Sequence, residues 1–177
     1  MLLEVRVQSL GVDRKTNSPV VILQERDGDR ILPIWIGPGE AHSIAIQIAG
    51  WILPRPLTHD LMVSVMGVLG GQLDRVIISR EVEDTYFAEL ILHRGEEIIS
   101  VDARPSDSIA VALRQDAKIY VDEDLFKDVA VEVEEDESVS LDMDSGTPIE
   151  GEKKENTETL KDYLRKMNPE DFGRFAP

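Results

Sequence analysis

Asp102, Arg104 and Asp107 place two carboxylates and a guanidinium on one short corner, D-A-R-P-S-D, which runs without a spacer into the apolar stretch S-I-A-V-A-L before Arg114. Such a corner can hold a charged ligand, or it can be simply a well-made helix start. Pro105 suits the first helical position, where its missing N–H costs nothing. Asp107 then falls in the first turn, where the helix dipole favours a carboxylate. Ile109, Ala112 and Leu113 share one helical face with Ala110 and Val111 beside them, so this helix is expected to be buried over most of its surface. Asp102 and Arg104 would sit on a rigid corner at its mouth, free to pair with each other or with a neighbouring element.

Two further stretches have the same character. Pro33–Ala41 (P-I-W-I-G-P-G-E-A) sets Glu40 just behind Pro38, and Pro54–Leu61 (P-R-P-L-T-H-D-L) gathers Arg55, His59 and Asp60. With the Asp102 corner they make three blocks that resemble the bifunctional nuclease domain family in order and approximate spacing. The resemblance spans roughly residues 1–130, and three concurrent blocks are more specific than one short motif. It implies low-specificity hydrolysis of DNA and RNA phosphodiesters. In that chemistry Glu40, Asp60, Asp102 and Asp107 could bind Mg²⁺ or Mn²⁺ through oxygen, and the cation could supply hydroxide and stabilise phosphate charge. Arg55 and Arg104 could hold phosphate oxygens in bidentate fashion, and His59 has a suitable pKa for proton transfer. The catalytic candidates are thus Asp102, Asp107, His59 and Glu40. The same residues also have a purely structural reading. Glu40, Asp60 and Asp107 fit first turns of helices, and the chain could be a non-catalytic oligomeric binding or regulatory module whose charged corners are caps and ligand contacts.

The net charge of −16 is unevenly spread. Residues 1–127 carry 13 Lys/Arg and 20 Asp/Glu, net −7, whereas residues 128–158 carry 2 and 12, net −10. No Lys/Arg stripe with interleaved aromatics appears, so broad electrostatic capture of nucleic acid is not expected, and a nuclease here needs a local pocket, bound cations or arginines gathered by folding. The absence of cysteine excludes disulfides and thiolate metal sites. His42, His59 and His93 do not pair at a metal-ligand spacing, which argues against a histidine zinc site. No secretory leader and no apolar run near the ~18 residues of a membrane span is found, so a cytoplasmic protein without a membrane partner is expected. Gly-rich phosphate loops, nucleophile elbows and HExxH patterns are absent.

These residues must be held by an α+β domain of mixed or antiparallel sheet with about three main helices. Alternation over residues 2–12 reads as a half-buried strand, and Val20–Glu25 with Arg30–Ile36 reads as a hairpin about Asp27-Gly28. Pro38 opens a helix to about Ala49, with Gly50 to end it. Thr58 is placed to cap a second, with Leu61, Val65, Val68 and Leu69 as its apolar face. The Met62/Met66 stripe reads as core, and Trp35 and Trp51 as core or interface. Strands follow at Val76–Ser79, Thr85–His93 and Glu97–Val101, then the Pro105 helix, a strand at Ile119–Val121 and an edge strand at Val129–Val133. A shift of 67 residues superposes Gly28, Pro38 and Glu40 on Gly95, Pro105 and Asp107 without gaps, as internal duplication of a strand–strand–helix unit would produce; any hairpin leading into a helix, however, needs these same residue types. The domain is placed at residues 1–133. Residues 134–158 read as an acidic linker of disordered composition. Residues 159–177 read as a short amphipathic docking helix and tail, with Leu160, Tyr163, Leu164 and Met167 at helical spacing. Apolar helices in so small a body point to a homodimer or higher homo-oligomer.

Overall fold

The computed structural model describes residues 1–126 and 133–135. Strands β1 (Leu2–Asp13), β2 (Ser18–Glu25) and β3 (Ile31–Trp35) lead into helix α1 (Pro38–Ile48), and a connector leads to α2 (Thr58–Val68). Strands β4 (Gln72–Val82), β5 (Thr85–Arg94) and β6 (Glu97–Ala103) then lead into α3 (Pro105–Gln115), followed by β7 (Lys118–Asp122) and β8 (Val133–Glu135). One mixed sheet runs in the order β3-β2-β1-β7-β4-β5-β6, with β8 paired to the far end of β1 at Gly11–Asp13. Two antiparallel meanders thus flank β7, which lies antiparallel to β1 and parallel to β4. Each meander ends in a helix. That repeated topology leaves the duplication undecided, because the turn and helix-start chemistry is common to any such unit. The α+β class, the mixed sheet and the three helices are as expected. The edge strand expected at 129–133 lies outside the described residues except at Val133, where β8 begins; of the linker expected at 134–158, Glu134 and Glu135 belong to β8, and the rest lies outside the described residues, as does the tail.

Each helix stops the same way. Gly50 (φ +64°) and Gly70 (φ +78°) take the left-handed conformation just past α1 and α2, and Asp116 (φ 51°) does so past α3. The next residue then donates back into the helix: Trp51 N–H to Ile46 O at 3.1 Å, Gly71 N–H to Met66 O at 2.8 Å and Ala117 N–H to Ala112 O at 3.0 Å. These bonds satisfy carbonyls that a helix end would otherwise leave bare.

The core is one cluster between sheet and helices. Val76, Ile78, Ala88, Ile119 and Val121 from the sheet meet Ala41 and Ile44 of α1 and Ile109–Ala112 of α3. Helix α3 touches β4, β5 and β7 and has α1 and α2 as neighbours. Four consecutive residues, Ile109, Ala110, Val111 and Ala112, have no exposed surface. Helix α2 departs from expectation. Its inward stripe is His59, Met62, Val63 and Met66, while Leu61, Val65, Val68 and Leu69, read from the sequence as its core face, are exposed. Both stripes recur at i, i+3/i+4 and i+7, so periodicity could not choose between them. Nor are the tryptophans core. Trp35 lies half-exposed with its indole N–H donating to Asp13 at 2.9 Å, and Trp51 is exposed.

This packing implies a sharp contrast between two substitutions of similar size. Ile109→Ala should cost about 3 kcal/mol of unfolding free energy through the cavity it leaves, whereas Leu61→Ala should cost less than ~1 kcal/mol; urea titration with the slope held common separates them.

Candidate functional site

The three helices begin at one corner, and their first-turn polar residues are joined in a continuous hydrogen-bonded chain. Pro38 and Pro105 set the first helical residues of α1 and α3, which brings Glu40 and Asp107 into the first turns. In α2 the residue before the helix is Leu57, not Thr58, which has already entered it; Asp60 accepts the Leu57 N–H at 2.7 Å. Arg104, the residue preceding α3, turns its guanidinium back across this corner. It donates to both Asp107 oxygens, at 2.7 and 3.1 Å, and reaches Glu40 at 2.6 Å. Arg104 therefore pairs with the two helix starts and not with Asp102. Its side chain is 62% exposed, and its remaining terminal nitrogen, Nη1, has no hydrogen bond among the described residues.

Behind Arg104 the chain becomes buried. Asp107 also accepts from His59 Nε2 at 3.1 Å, and His59 Nδ1 lies 2.8 Å from Ser43 Oγ on α1. Ser43 Oγ takes a further bond from Arg114 Nη2 at 3.1 Å, while Arg114 Nε donates to Asp60 at 2.5 Å. Arg114 also donates to Ala110 O at 2.8 Å and to Ser43 O at 3.3 Å. Because Arg114 can only donate, Ser43 keeps its hydroxyl proton for His59 Nδ1. With neutral His59, Nε2–H then points at the Asp107 carboxylate, an assignment that leaves every member satisfied. The order Ser–His–Asp matches that of a nucleophilic triad. Ser43 is buried, however, and already receives a guanidinium, so a substrate has no approach to it.

The electrostatics follow this wiring. The hydrogen bond from His59, aided by Arg104, holds the Asp107 carboxyl below the ordinary carboxylate range against the opposing effect of burial. Burial pushes Asp60 upward, but Arg114 and the Leu57 N–H outweigh it and leave the group lowered. Asp107 in turn raises Arg104 further above its normal value.

Glu40, His59 and Asp107 are thus brought together with Arg104, and Asp60 joins them through Arg114 and Ser43. Arg55 stands exposed in the α1–α2 connector. Asp102 lies exposed on β6 opposite Glu89, outside the bonded chain. Among the described residues, no group of three or more His, Asp or Glu side chains is arranged to hold a metal ion; Arg104 already stands as the cation between Glu40 and Asp107. Both ring nitrogens of His59 are engaged, so its position suits orientation of Asp107 better than proton exchange with a substrate. Sequence reasoning missed Ser43 and Arg114. Their signal was spacing: Ser43 lies three residues after Glu40 and Arg114 seven after Asp107, each on the same helix face as that first-turn carboxylate. It also missed Gly37, where a Cβ would collide with the Glu40 carboxylate.

The chain matches the bifunctional nuclease domain over residues 21–134. It is 41% identical over 169 residues to an uncharacterized protein of Mycobacterium tuberculosis, an alignment covering 96% of this chain and 97% of that one. Bifunctional nuclease 1 of Oryza sativa subsp. indica is 28% identical over 112 residues, and bifunctional nuclease 1 of Arabidopsis thaliana 27% over 107. Those alignments cover 62% and 58% of this chain but only 34% and 33% of the longer plant proteins. The chain belongs to the bifunctional nuclease domain family, and the fold above is the frame that carries this domain's charged corner. No helix among the described residues is long and apolar enough to cross a membrane.

A carboxyl whose folded pKa is lowered adds stability that is complete above its unfolded value, about 3.9, and is lost as pH falls through the folded one. In Asp107→Asn that component should vanish. The rise of stability with pH, starting below pH ~4, should be shallower than in the parent, as read by urea unfolding at stepped pH.

Proposed function

We propose that the domain hydrolyses phosphodiester bonds in DNA and RNA at the corner where α1, α2 and α3 begin. Membership of the bifunctional nuclease domain family and the likeness to plant proteins named bifunctional nucleases support nuclease activity. The observation that carries the location is Arg104, exposed to solvent yet held by Glu40 and Asp107, with Nη1 left over for a phosphate oxygen. A guanidinium fixed on two carboxylates is pre-oriented, so little side-chain entropy is lost when it takes an anion. The N-termini of α1 and α3 point the positive ends of their dipoles at the same place.

In this reading Arg104 binds a non-bridging phosphate oxygen and stabilises the charge that grows there during attack. Glu40 stands beside it to take a proton from the attacking water. Asp107 holds Arg104 in register, and His59, locked between Asp107 and Ser43, is a positioning residue. Asp60 is spent on Arg114 and keeps α2 attached to α3. Among the described residues these carboxylates are not arranged as a group of metal ligands, Glu40 and Asp107 being held by Arg104 and Asp60 by Arg114. Arg55 is available for a flanking phosphate. The non-catalytic binding module is favoured by a separate feature, the net charge of −7 over residues 1–127, which opposes affinity for a polyanion away from this corner.

The test is cleavage of labelled DNA and RNA by the full chain with Mg²⁺, Mn²⁺ or chelator. The parent should cut both, and Arg104→Ala should lower kcat/KM on the order of 100-fold without loss of fold. Gly37→Ala keeps every charge but pushes the Glu40 carboxylate away, so kcat should fall with KM little changed. An Arg104→Ala variant as active as the parent would remove the corner from the reaction. Binding without cleavage in every arm would establish the module reading instead.

A further inference from the structure

The outer side of α2 is apolar and uncovered among the described residues. Leu61, Val65, Val68 and Leu69 recur at i, i+4, i+7 and i+8, and Val68 is 87% exposed. The connector before the helix adds exposed Trp51 and Ile52, the latter 97% exposed. Surface of this kind is uncommon on a monomer, whose largest apolar patch is about 300–600 Å². Here the six side chains expose on the order of 800 Å², which is what one partner contributes to a standard interface.

From these features we infer that this face is covered by a second copy of the same chain, packed about a twofold axis beside Val65. Two observations favour a like copy as occupant. The stretch Leu61–Leu69 (L-M-V-S-V-M-G-V-L) contains no charged residue. That matters for a self-complementary contact, in which each residue lies near its own equivalent and any charge would face its like. An antiparallel α2–α2 pair about Val65 sets Leu61 of one copy against Leu69 of the other, so the stripe is apolar along its whole length. The nearest acidic group before the stripe, Asp60, is already held by Arg114. Since His59 and Asp60 open the same helix, the dimer would brace α2 and with it the start of the charged corner. The inference does not depend on what that corner does.

Sedimentation equilibrium of the full chain measures it directly. The expected mass is twice 19.8 kDa. A V65E/V68E double variant, which places charge only on exposed positions, should weaken dimerisation on the order of 100-fold with the thermal midpoint of the dissociated chain and its circular dichroism retained. The competing occupant is the chain's own tail. L160E/L164E in the full chain should therefore leave the dimer intact and not increase binding of an apolar dye. A monomeric parent, a dimer unaffected by V65E/V68E, or a stripe exposed by L160E/L164E would each overturn the inference.

Discussion

The burial of α3 is the constraint from which the charged corner follows. A helix whose middle four residues are withdrawn wholly from water can keep polar groups only at its ends, and only if they are paired. Arg104 and Asp107 at one end and Arg114 toward the other meet that condition. Each finds its partner on a different helix: Glu40 and Ser43 on α1, His59 and Asp60 on α2. Arg114 is the clearest case. Its side chain is 5% exposed, so each of its bonds to Asp60, Ser43 and Ala110 answers a desolvation cost that would otherwise oppose folding. The network therefore specifies how α1 and α2 sit against α3, while the apolar contacts supply most of the driving force.

The same wiring gives the corner a gradient from rigid to accessible. Ser43 and His59 are buried and saturated; Asp107 is intermediate; Arg104 reaches solvent. Arg104, at the wet end of this chain, is held by partly buried carboxylates that are themselves anchored on buried groups, an arrangement that suits pre-organised binding of an anion. The acidic first turns of α1 and α3 hold the Arg104 guanidinium from one side. Those two carboxylates occupy only Nε and Nη2 of Arg104, so in the proposed reading a phosphate would take Nη1 with both carboxylates still in place.

Local signals proved legible where one principle acted alone. The strand alternation of β1, the turn glycine at Gly95, the proline openings of α1 and α3 and the glycine stops after α1 and α2 each depend on a single residue's conformational preference. Signals failed where two equivalent patterns lay on one element. Helix α2 is apolar on both sides, so its periodicity could not name the inward face, and the partner that decides it, α3, begins only at Pro105, well beyond the end of α2 at Val68. Arg104 illustrates the same limit for chemistry. In sequence Asp102 is the nearer, two residues before it against three after for Asp107, yet Asp102 lies exposed on β6 opposite Glu89, while the helix turn brings Asp107 under the guanidinium.

By itself the sequence determined the family, the α+β class, the positions of the helix starts and the kinds of group gathered there, because these depend on residue type and short spacing. It also restricted the metal chemistry, since a chain without cysteine and with three histidines at no metal-ligand spacing offers only oxygen donors in number. Only the tertiary structure decided which of those groups meet. The three helix starts are brought together by sheet order and by the packing of α1 and α2 on α3, and such contacts cross 48 to 71 residues of chain, from His59 to Asp107 and from Ser43 to Arg114. No local propensity encodes a contact of that range. It arises because burying α3 leaves its polar ends no cheaper place to be satisfied.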